Sequence, residues 1–290
     1  MKKTLIATLV ILTVALFSAP VFAQFEKPDP NAPDAVAPAG ESNLSGQSAG
    51  ALKRKKDDAS VDRNILFPTA ETINKGDVTF NSYEVLFAGL TYGISDDMQI
   101  SATTMLPIVT EIPFILLGSL KYRVLKNNNI IVSVQPNFSL FRETFNGSSG
   151  DETVTAGGFG ASLLLDYLLD PAGKFVLTGG VNAQFMFGGS DESDFQVADG
   201  AIFYLYGAFS AKLGKMVKLM AELSLPGGIY WGGDGTEFEV VQQALLFNYG
   251  IRFFGKSVAV DLSFLRPIHP DVDTGSLLMG IPWLNFSARF

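Results

Sequence analysis

The chain has 290 residues, no cysteine, a single histidine and a formal net charge of -8. Without cysteine it cannot form disulfides, thiolate metal sites or a cysteine nucleophile, and its acidic balance argues against nucleic acid as a partner. The mean hydropathy of +0.25 is high for a soluble protein. No segment after residue 23 reaches the roughly 18 consecutive apolar residues of a spanning helix, so spanning helices do not explain this hydropathy.

Residues 1–23 have the three parts of a secretory signal peptide. Lys2 and Lys3 form a basic start, an apolar run extends over residues 5–17, and residues 21–23 offer a cleavage site. The alternative is a membrane anchor, but the apolar run is shorter than the roughly 20 residues that a spanning helix needs. Removal of Lys2 and Lys3 leaves 19 basic residues (21 minus 2) against 29 acidic ones, and the net charge becomes -10.

The composition of residues 24–60 predicts a disordered periplasmic linker. The stretch carries prolines at positions 28, 30, 33 and 38 among small and polar residues. Such a composition cannot bury enough apolar surface to offset the entropy lost on ordering. We interpret the basic run at residues 53–56 as part of a solvated tether, with contact to anionic lipid or cell-wall polymer as the alternative.

Residues 61–76 differ from the linker and predict an ordered segment. Ile65, Leu66 and Phe67 are apolar, and Pro68 interrupts any regular strand or helix. The segment is expected to pack against the mouth of the domain that follows or to enter its lumen as a partial plug. The alternative is a simple lead-in to the first strand.

Residues 77–290 break into short alternating segments separated by turn signals, which predict strands. The predicted segments are 77–85, 87–95, 98–106, 114–125, 129–141, 157–169, 174–187, 200–213, 217–226, 242–254, 257–265 and 280–290. In the fifth, Val132, Val134 and Phe138 share one face, and Ser133 and Gln135 share the other. An apolar face for lipid and a polar face for water predict an all-β transmembrane antiparallel up-and-down β-barrel of about 12 strands.

The charges and the connections support this register. A Lys or Arg on the lipid face costs about 2–4 kcal/mol at the bilayer midplane, and that face is free of charge from the second segment to the twelfth. The first segment is the exception, because Ser82 and Glu84 share a face with Val78 and Phe80; a bulge or a register change near the rim would repair it.

Connections after even-numbered segments are short and most others are long, which predicts that both termini are periplasmic. A soluble β-sandwich is disfavoured, since it would need a second apolar layer over each face.

The last strand carries a resemblance to a known class. Leu284, Phe286 and the terminal Phe290 fall on one face, with Trp283 on the other. This ending resembles the closing strand of bacterial outer-membrane β-barrels, and Trp283, Leu284, Phe286 and Phe290 would form the signal that the barrel-assembly machinery recognises. Residues 61–101 are similar to a family of functionally uncharacterised barrels. The resemblance implies outer-membrane lipids and lipopolysaccharide as surroundings, a location in the bacterial outer membrane, and no particular activity.

Charged residues on the predicted inner face suggest a lumen lined by charges of both signs. The basic ones outnumber the acidic ones and lie mostly near periplasmic turns, which predicts a positive ring that would favour anions. The alternative is that the charges pair across the lumen and help to close it. The residues concerned are Lys121, Arg123, Asp166, Lys212, Lys218, Glu222, Arg252, Asp261 and Arg289.

Aromatic residues near strand ends fit the two interfacial girdles of a membrane barrel. They are Tyr122, Tyr167, Phe175, Phe187, Tyr230, Trp231, Phe253, Phe254, Trp283 and Phe290.

Nothing in the sequence predicts catalytic, cofactor-binding or metal-binding residues. His269 lies between prolines in a predicted external loop, where an ordinary loop histidine is expected rather than a member of a catalytic triad. Acidic clusters in the external loops are interpreted as solvated, with binding of Ca²⁺ or Mg²⁺ or of lipopolysaccharide phosphates through such ions as the alternative.

The sequence therefore predicts a monomeric outer-membrane barrel that is not an enzyme and uses no cofactor. Its expected function is narrow passive passage of small polar solutes, with anions as candidates. The alternative is a closed structural or surface-binding barrel that acts through its acidic loops.

Overall fold

The computed structural model describes residues 57–84, 86–106, 113–147, 150–170, 172–190, 199–232, 235–239, 245–268 and 280–290. The predicted signal peptide and all but the last four residues of the predicted linker lie outside these ranges. Among the described residues there is no helix with the length and hydropathy needed to cross a membrane.

The described chain forms one antiparallel sheet closed into a cylinder. Its strands are β1 (Val78–Tyr83), β2 (Phe87–Gly93), β3 (Met98–Met105), β4 (Phe114–Lys126), β5 (Ile130–Gly147), β6 (Gly150–Leu168), β7 (Phe175–Ser190), β8 (Asp199–Lys212), β9 (Val217–Gly232), β10 (Gly235–Glu239), β11 (Leu245–Phe254), β12 (Val258–Ile268) and β13 (Ile281–Arg289).

Strands β13 and β1 close the cylinder, with Ala288 opposite Phe80. Strands β10 and β11 pair with successive parts of the same edge of β9, where Glu239 lies opposite Gly228 and Leu246 opposite Ser224. They therefore occupy one position in the ring, which has twelve positions. The predicted fold, a closed antiparallel barrel of about 12 strands, is confirmed.

The alternation of side chains between the two faces is also as predicted. Along β5, Ser133 and Gln135 are buried inside the barrel, whereas Phe138 is exposed on the outside. Strand β1 ends at Tyr83, so Glu84 lies beyond its end and has a φ of 50°. The carboxylate that the sequence placed on the lipid face therefore belongs to the turn after β1.

Two of the predicted girdle aromatics lie inside the barrel. The ring of Phe254 is 2% exposed and lies below the ammonium groups of Lys212 and Lys218, and Trp283 packs against inward-facing apolar residues. The prediction for these two was wrong because they stand at even spacing from the inward residues Arg252 and Asn285, and side chains in a strand alternate faces.

Residues 57–76, here called the plug segment, precede β1 and lie inside the barrel, except for Lys75 and Gly76, which are exposed. Phe67 and Ala70 pack against the inner wall with Leu164, and Ile65 packs with Met220. The segment lies toward the end of the barrel at which β1 begins and β13 ends, called the terminal end below. Asp57 to Ser60, which the sequence assigned to the linker, belong to it.

Candidate functional site in the barrel lumen

The predicted lumen charges all lie on the inner face of the barrel, and most of them contact the plug segment. They come from β4, β6, β8, β9, β11, β12 and β13, whose alternation directs every second side chain inward. Lys212 is partly exposed, and the others are buried: Lys121, Arg123, Asp166, Lys218, Glu222, Arg252, Asp261 and Arg289.

Glu222 holds the backbone at the apolar tip of the plug segment. Its Oε1 accepts hydrogen bonds from the N–H groups of Ile65 at 2.8 Å and Phe67 at 3.1 Å, and its Oε2 accepts one from Leu66 at 3.0 Å. Asn248 donates a further bond to Oε2 at 3.1 Å. Because an irregular segment has no strand partner for its N–H groups, the carboxylate takes the place of one.

Arg252 binds the opposite polar groups of the same backbone. Its Nη1 donates to the carbonyl oxygens of Ser60 at 2.6 Å and Arg63 at 3.0 Å, and its Nη2 donates to that of Asn64 at 2.6 Å. Asp261 accepts from Nε at 2.6 Å and from Nη2 at 2.9 Å. The guanidinium is thus fixed by a two-point contact with Asp261 while it binds three carbonyl groups.

Asp58 is the buried carboxylate of the plug segment nearest the terminal end. It forms ion pairs with Lys218 and with Arg252, whose Nη1 lies 3.4 Å from Oδ2. Burial by itself would raise the pKa of Asp58, but the charges of Lys218 and Arg252 hold this pKa below the ordinary value of 3.8. Asp58 is therefore ionised at neutral pH. Arg289 also donates to the backbone carbonyl of Asp58.

Basic side chains of β4 also bind the plug segment. Lys121 Nζ donates to the carbonyl oxygens of Asp62 at 2.9 Å and Glu71 at 3.1 Å. Arg123 pairs with the Glu71 carboxylate at 2.8 Å and with Asp97 at 2.5 Å. Lys126, which lies at the end of β4, adds a contact to Glu71 at 3.1 Å.

Two more of the predicted lumen charges, and one tyrosine, also contact the plug segment. Asp166 accepts from the N–H of Ala70 at 3.0 Å, and Lys212 pairs with Asp57 at 2.8 Å. Tyr206 stacks on the ring of Phe67 with centroids 4.5 Å apart and donates to the carbonyl of Pro68 at 3.1 Å.

The sequence located the wall charges but missed their partners on the plug segment. These partners are buried: Asp58, Asp62, Arg63 and Glu71, and with them the wall residue Tyr206. A signal was present, because these charged residues flank the apolar residues 65–67 in a segment too irregular for a strand.

The residues of the predicted assembly signal divide between the two faces. Leu284, Phe286 and Phe290 are exposed on the outside, while Trp283 faces the lumen. His269 lies outside the described residues, and none of the side chains of the acidic loop clusters is described either. In the described ranges, His, Asp and Glu do not gather in threes close enough to bind a metal ion.

Comparison with known proteins does not assign the chain to a family. No protein family model matches the chain, and no curated protein does. Among solved structures the chain is similar to the KdgM porin in complex with disordered oligogalacturonate, with 11% identity over 73% of this chain and 95% of that one and a TM-score of 0.42. It is also similar to the NanC porin, with 8% identity over 73% and 97% and a TM-score of 0.42. The Pseudomonas putida toluene transporter TodX matches with 10% identity over 82% and 96% and a TM-score of 0.36.

Proposed function

We propose that the protein is a channel of the bacterial outer membrane that is closed at its periplasmic, terminal end by its own plug segment. In this proposal both termini are periplasmic, and small polar solutes pass when the segment moves out of the lumen. The observation that carries the proposal is the polar nature of the interface: wall charges bind the backbone and carboxylates of the segment.

The charges on the two sides of this interface are complementary. The plug segment has Asp57, Asp58, Asp62 and Glu71 against Arg63 and Lys75, a net charge of -2 (two minus four). The predicted lumen set of the wall has six basic and three acidic residues, a net charge of +3. The plug segment therefore acts as a counter-ion for the wall.

Movement of the segment would leave a lumen that water can fill. Buried ion pairs gain little over hydration, because the Coulombic attraction is offset by the cost of removing charges from water. A charged wall can thus exchange the segment for water more easily than an apolar wall could. The remaining positive excess would favour anions, as rings of basic side chains do in pores.

A reversible lock of the plug segment tests the proposal. Ser60 Oγ lies 3.2 Å from Ser287 Oγ, so cysteines at these positions can form a disulfide between the segment and β13. The natural chain has no cysteine, so the pair Ser60→Cys/Ser287→Cys is the sole thiol couple. In planar bilayers we expect no conductance steps from the oxidised protein and anion-selective steps after reduction. Each single cysteine variant should be insensitive to the redox state.

Removal of the plug segment is the second arm of this experiment. A deletion of residues 57–73 keeps the turn before β1, in which the Asn74 amide donates to Asp77 at 2.8 Å. We expect larger and more frequent steps than from the full chain. If this deletion variant and the reduced protein both stay silent over many insertions, the protein is not a channel.

The second candidate function is a closed barrel that binds a partner at the cell surface. It is favoured by the height of one side of the wall, since β5 has 18 residues, β6 has 19 and β7 has 16. A membrane strand needs about 9–11 residues, so these strands extend beyond the bilayer. Silence of the deletion variant in bilayers, with the barrel still folded, would support this function over the channel.

A further inference from the structure

The plug segment turns back on itself inside the lumen, so that two lengths of its backbone lie side by side. The N–H of Asn64 donates to the carbonyl of Phe67 at 2.9 Å, and the N–H of Thr69 donates to the carbonyl of Asp62 at 3.0 Å. Backbones paired in this way are about 4.8 Å apart. The lumen at this level therefore holds two polypeptide backbones, and movement of the segment would leave room for at least one extended chain.

The wall binds the plug segment largely through main-chain groups. Side chains from β3 to β6 and from β8, β9, β11 and β13 bond to N–H or carbonyl groups of residues 58–73. They are Gln99, Lys121, Ser133, Asp166, Tyr206, Glu222, Arg252, Asn285 and Arg289. Every peptide has such main-chain groups, so these contacts do not depend on the side chains of the segment.

Several of these binding groups are held in place by other side chains of the wall. Glu222 accepts a hydrogen bond from Asn248 at 3.1 Å, and Asp166 accepts one from Thr178 at 2.7 Å. Arg252 is fixed by its carboxylate partner on β12. The arrangement of donors and acceptors therefore does not need the segment to form. A site that is organised before its ligand binds loses less entropy on binding.

The wall also has partners for acidic and for apolar side chains. Lys218 pairs with Asp58, and Arg123 pairs with Glu71 at 2.8 Å. The apolar side chains at the tip of the segment pack on two apolar patches of the wall. One patch consists of Met220, Leu246 and Leu265, and the other consists of Ile131, Leu164, Leu168 and Tyr206.

We propose that the wall around the plug segment is a binding site for acidic oligopeptides, and that the segment is its tethered occupant. The site offers hydrogen-bonding groups for a main chain, basic side chains for carboxylates and apolar patches for an apolar side chain. A free peptide binds once the segment has moved, so this inference rests on the proposed movement and adds a substrate class to the proposed channel.

Competition with synthetic peptides in the full chain tests the site. The first peptide has the composition of residues 57–73 in shuffled order. The second is the same peptide with methylated main-chain nitrogens, and the third has lysine in place of every Asp and Glu. Each is added at a few millimolar, because a short tether gives the segment an effective concentration on the order of millimolar. Hydrogen exchange at residues 65–67 reports whether the segment is displaced.

We expect the shuffled peptide to lower the protection of residues 65–67 about tenfold, because it competes with a segment of millimolar effective concentration. The methylated peptide lacks the N–H groups that Glu222 and Asp166 bind, and the lysine peptide meets basic side chains of the wall. Both should leave protection unchanged. In the oxidised Ser60→Cys/Ser287→Cys protein the shuffled peptide should have less effect, since the segment is tied to β13. Equal effects of the three peptides would contradict the site.

The deletion of residues 57–73 removes the competing segment and gives a second measurement. A fluorescent form of the shuffled peptide should bind this variant in detergent. Glu222→Gln should weaken the binding, and Ser224→Ala, the neighbouring inward residue on β9, should not. Heat-modifiable migration on gels establishes that each barrel is folded. Absence of binding here and of displacement in the full chain would overturn the site.

Conductance separates this inference from the channel itself. If the deletion variant conducts and the shuffled peptide neither binds it nor blocks it, the channel stands and the peptide site is wrong. If the variant binds the peptide but stays silent in bilayers, the site stands and the channel is wrong.

Discussion

Glu222 on β9 accepts a hydrogen bond from the N–H of Phe67 at 3.1 Å, although 155 positions separate the two residues in the chain. The same carboxylate serves the N–H groups of Ile65 and Leu66. One wall side chain thus fixes the backbone at the tip of the plug segment.

Glu222→Gln is expected to loosen the plug segment. A neutral amide oxygen accepts more weakly than a carboxylate, and hydrogen bonds to charged groups contribute about 1.5–3 kcal/mol each. A loss of about 2 kcal/mol would raise the population of the undocked segment roughly thirtyfold. Hydrogen exchange at the amides of residues 65–67 measures this change.

The matched control for this variant is Ser224→Ala, an inward-facing residue two positions further along β9. Ser224 is buried to a similar degree, at 3% exposed against 1% for Glu222. It should leave exchange at residues 65–67 at the rate of the unaltered protein. Equal rates in Glu222→Gln and Ser224→Ala would show that the carboxylate does not hold the tip.

Arg252 and Asp261 are expected to behave as a coupled pair. Arg252→Met leaves Asp261 buried beside an apolar side chain, and breaking a buried ion pair from one side costs about 3–5 kcal/mol. The double variant Arg252→Met/Asp261→Asn removes the orphaned charge, so it should recover part of the lost stability. Urea unfolding of the barrel in detergent compares the two.

The control for this pair is Asp261→Asn alone, which leaves Arg252 with its carbonyl partners and with Asp58. If the double variant is no more stable than the sum of the two single-variant effects predicts, the charges are not coupled in the way the geometry indicates.

The barrel could be predicted from the sequence because lipid and water impose a period of two on every strand. Phe138 and Ser139 alternate for this physical reason, and the alternation is local. The plug contacts could not be predicted in the same way. The bond from Phe67 to Glu222 joins distant parts of the chain, and no periodic pattern marks it. The wall charges alone left two predictions open, a positive ring and pairing across the lumen, because most of their counter-ions lie in a segment without regular structure.

The early end of β1 could not be predicted from the sequence either. The sequence predicts a first strand at residues 77–85, which is longer than the six residues that form β1. The end of the strand is set by the turn at Glu84, where φ is 50°. A positive φ at a residue other than glycine leaves no clear trace in the sequence.

Acid is expected to release the plug segment only well below neutral pH. The folded-state pKa of Asp58 lies below its unfolded value of 3.8 because Lys218 and Arg252 outweigh the effect of burial. Ionised Asp58 therefore stabilises the docked segment at every pH above 3.8, and this contribution is lost as the pH falls through the lower, folded-state pKa. The protection factors at residues 58–60, which correct exchange for its intrinsic dependence on pH, should be constant from about pH 5 to pH 8 and should fall below pH 3.8.

Asp58→Asn is the variant that tests this assignment. It removes the titrating group while keeping a polar side chain of the same size, so the protection factors should be lower at neutral pH and nearly independent of acid. A variant that still loses protection below pH 3.8 as steeply as the unaltered protein would assign the transition to another carboxylate.

Gly180 is expected to control the plug segment through Tyr206, which lies opposite it on β8. A Cβ at Gly180 would stand 2.2 Å from the Tyr206 ring, whereas a Cβ at Gly179 would meet nothing within 4 Å. Gly180→Ala must therefore push the ring away from its stack on Phe67, and aromatic pairs contribute about 0.5–1.5 kcal/mol. We expect faster exchange at residues 67–70 and, if the protein conducts, more frequent steps in bilayers. Gly179→Ala, its neighbour on the same strand, should match the unaltered protein in both measurements, and a response of equal size from the two variants would mean that the tyrosine does not transmit the change.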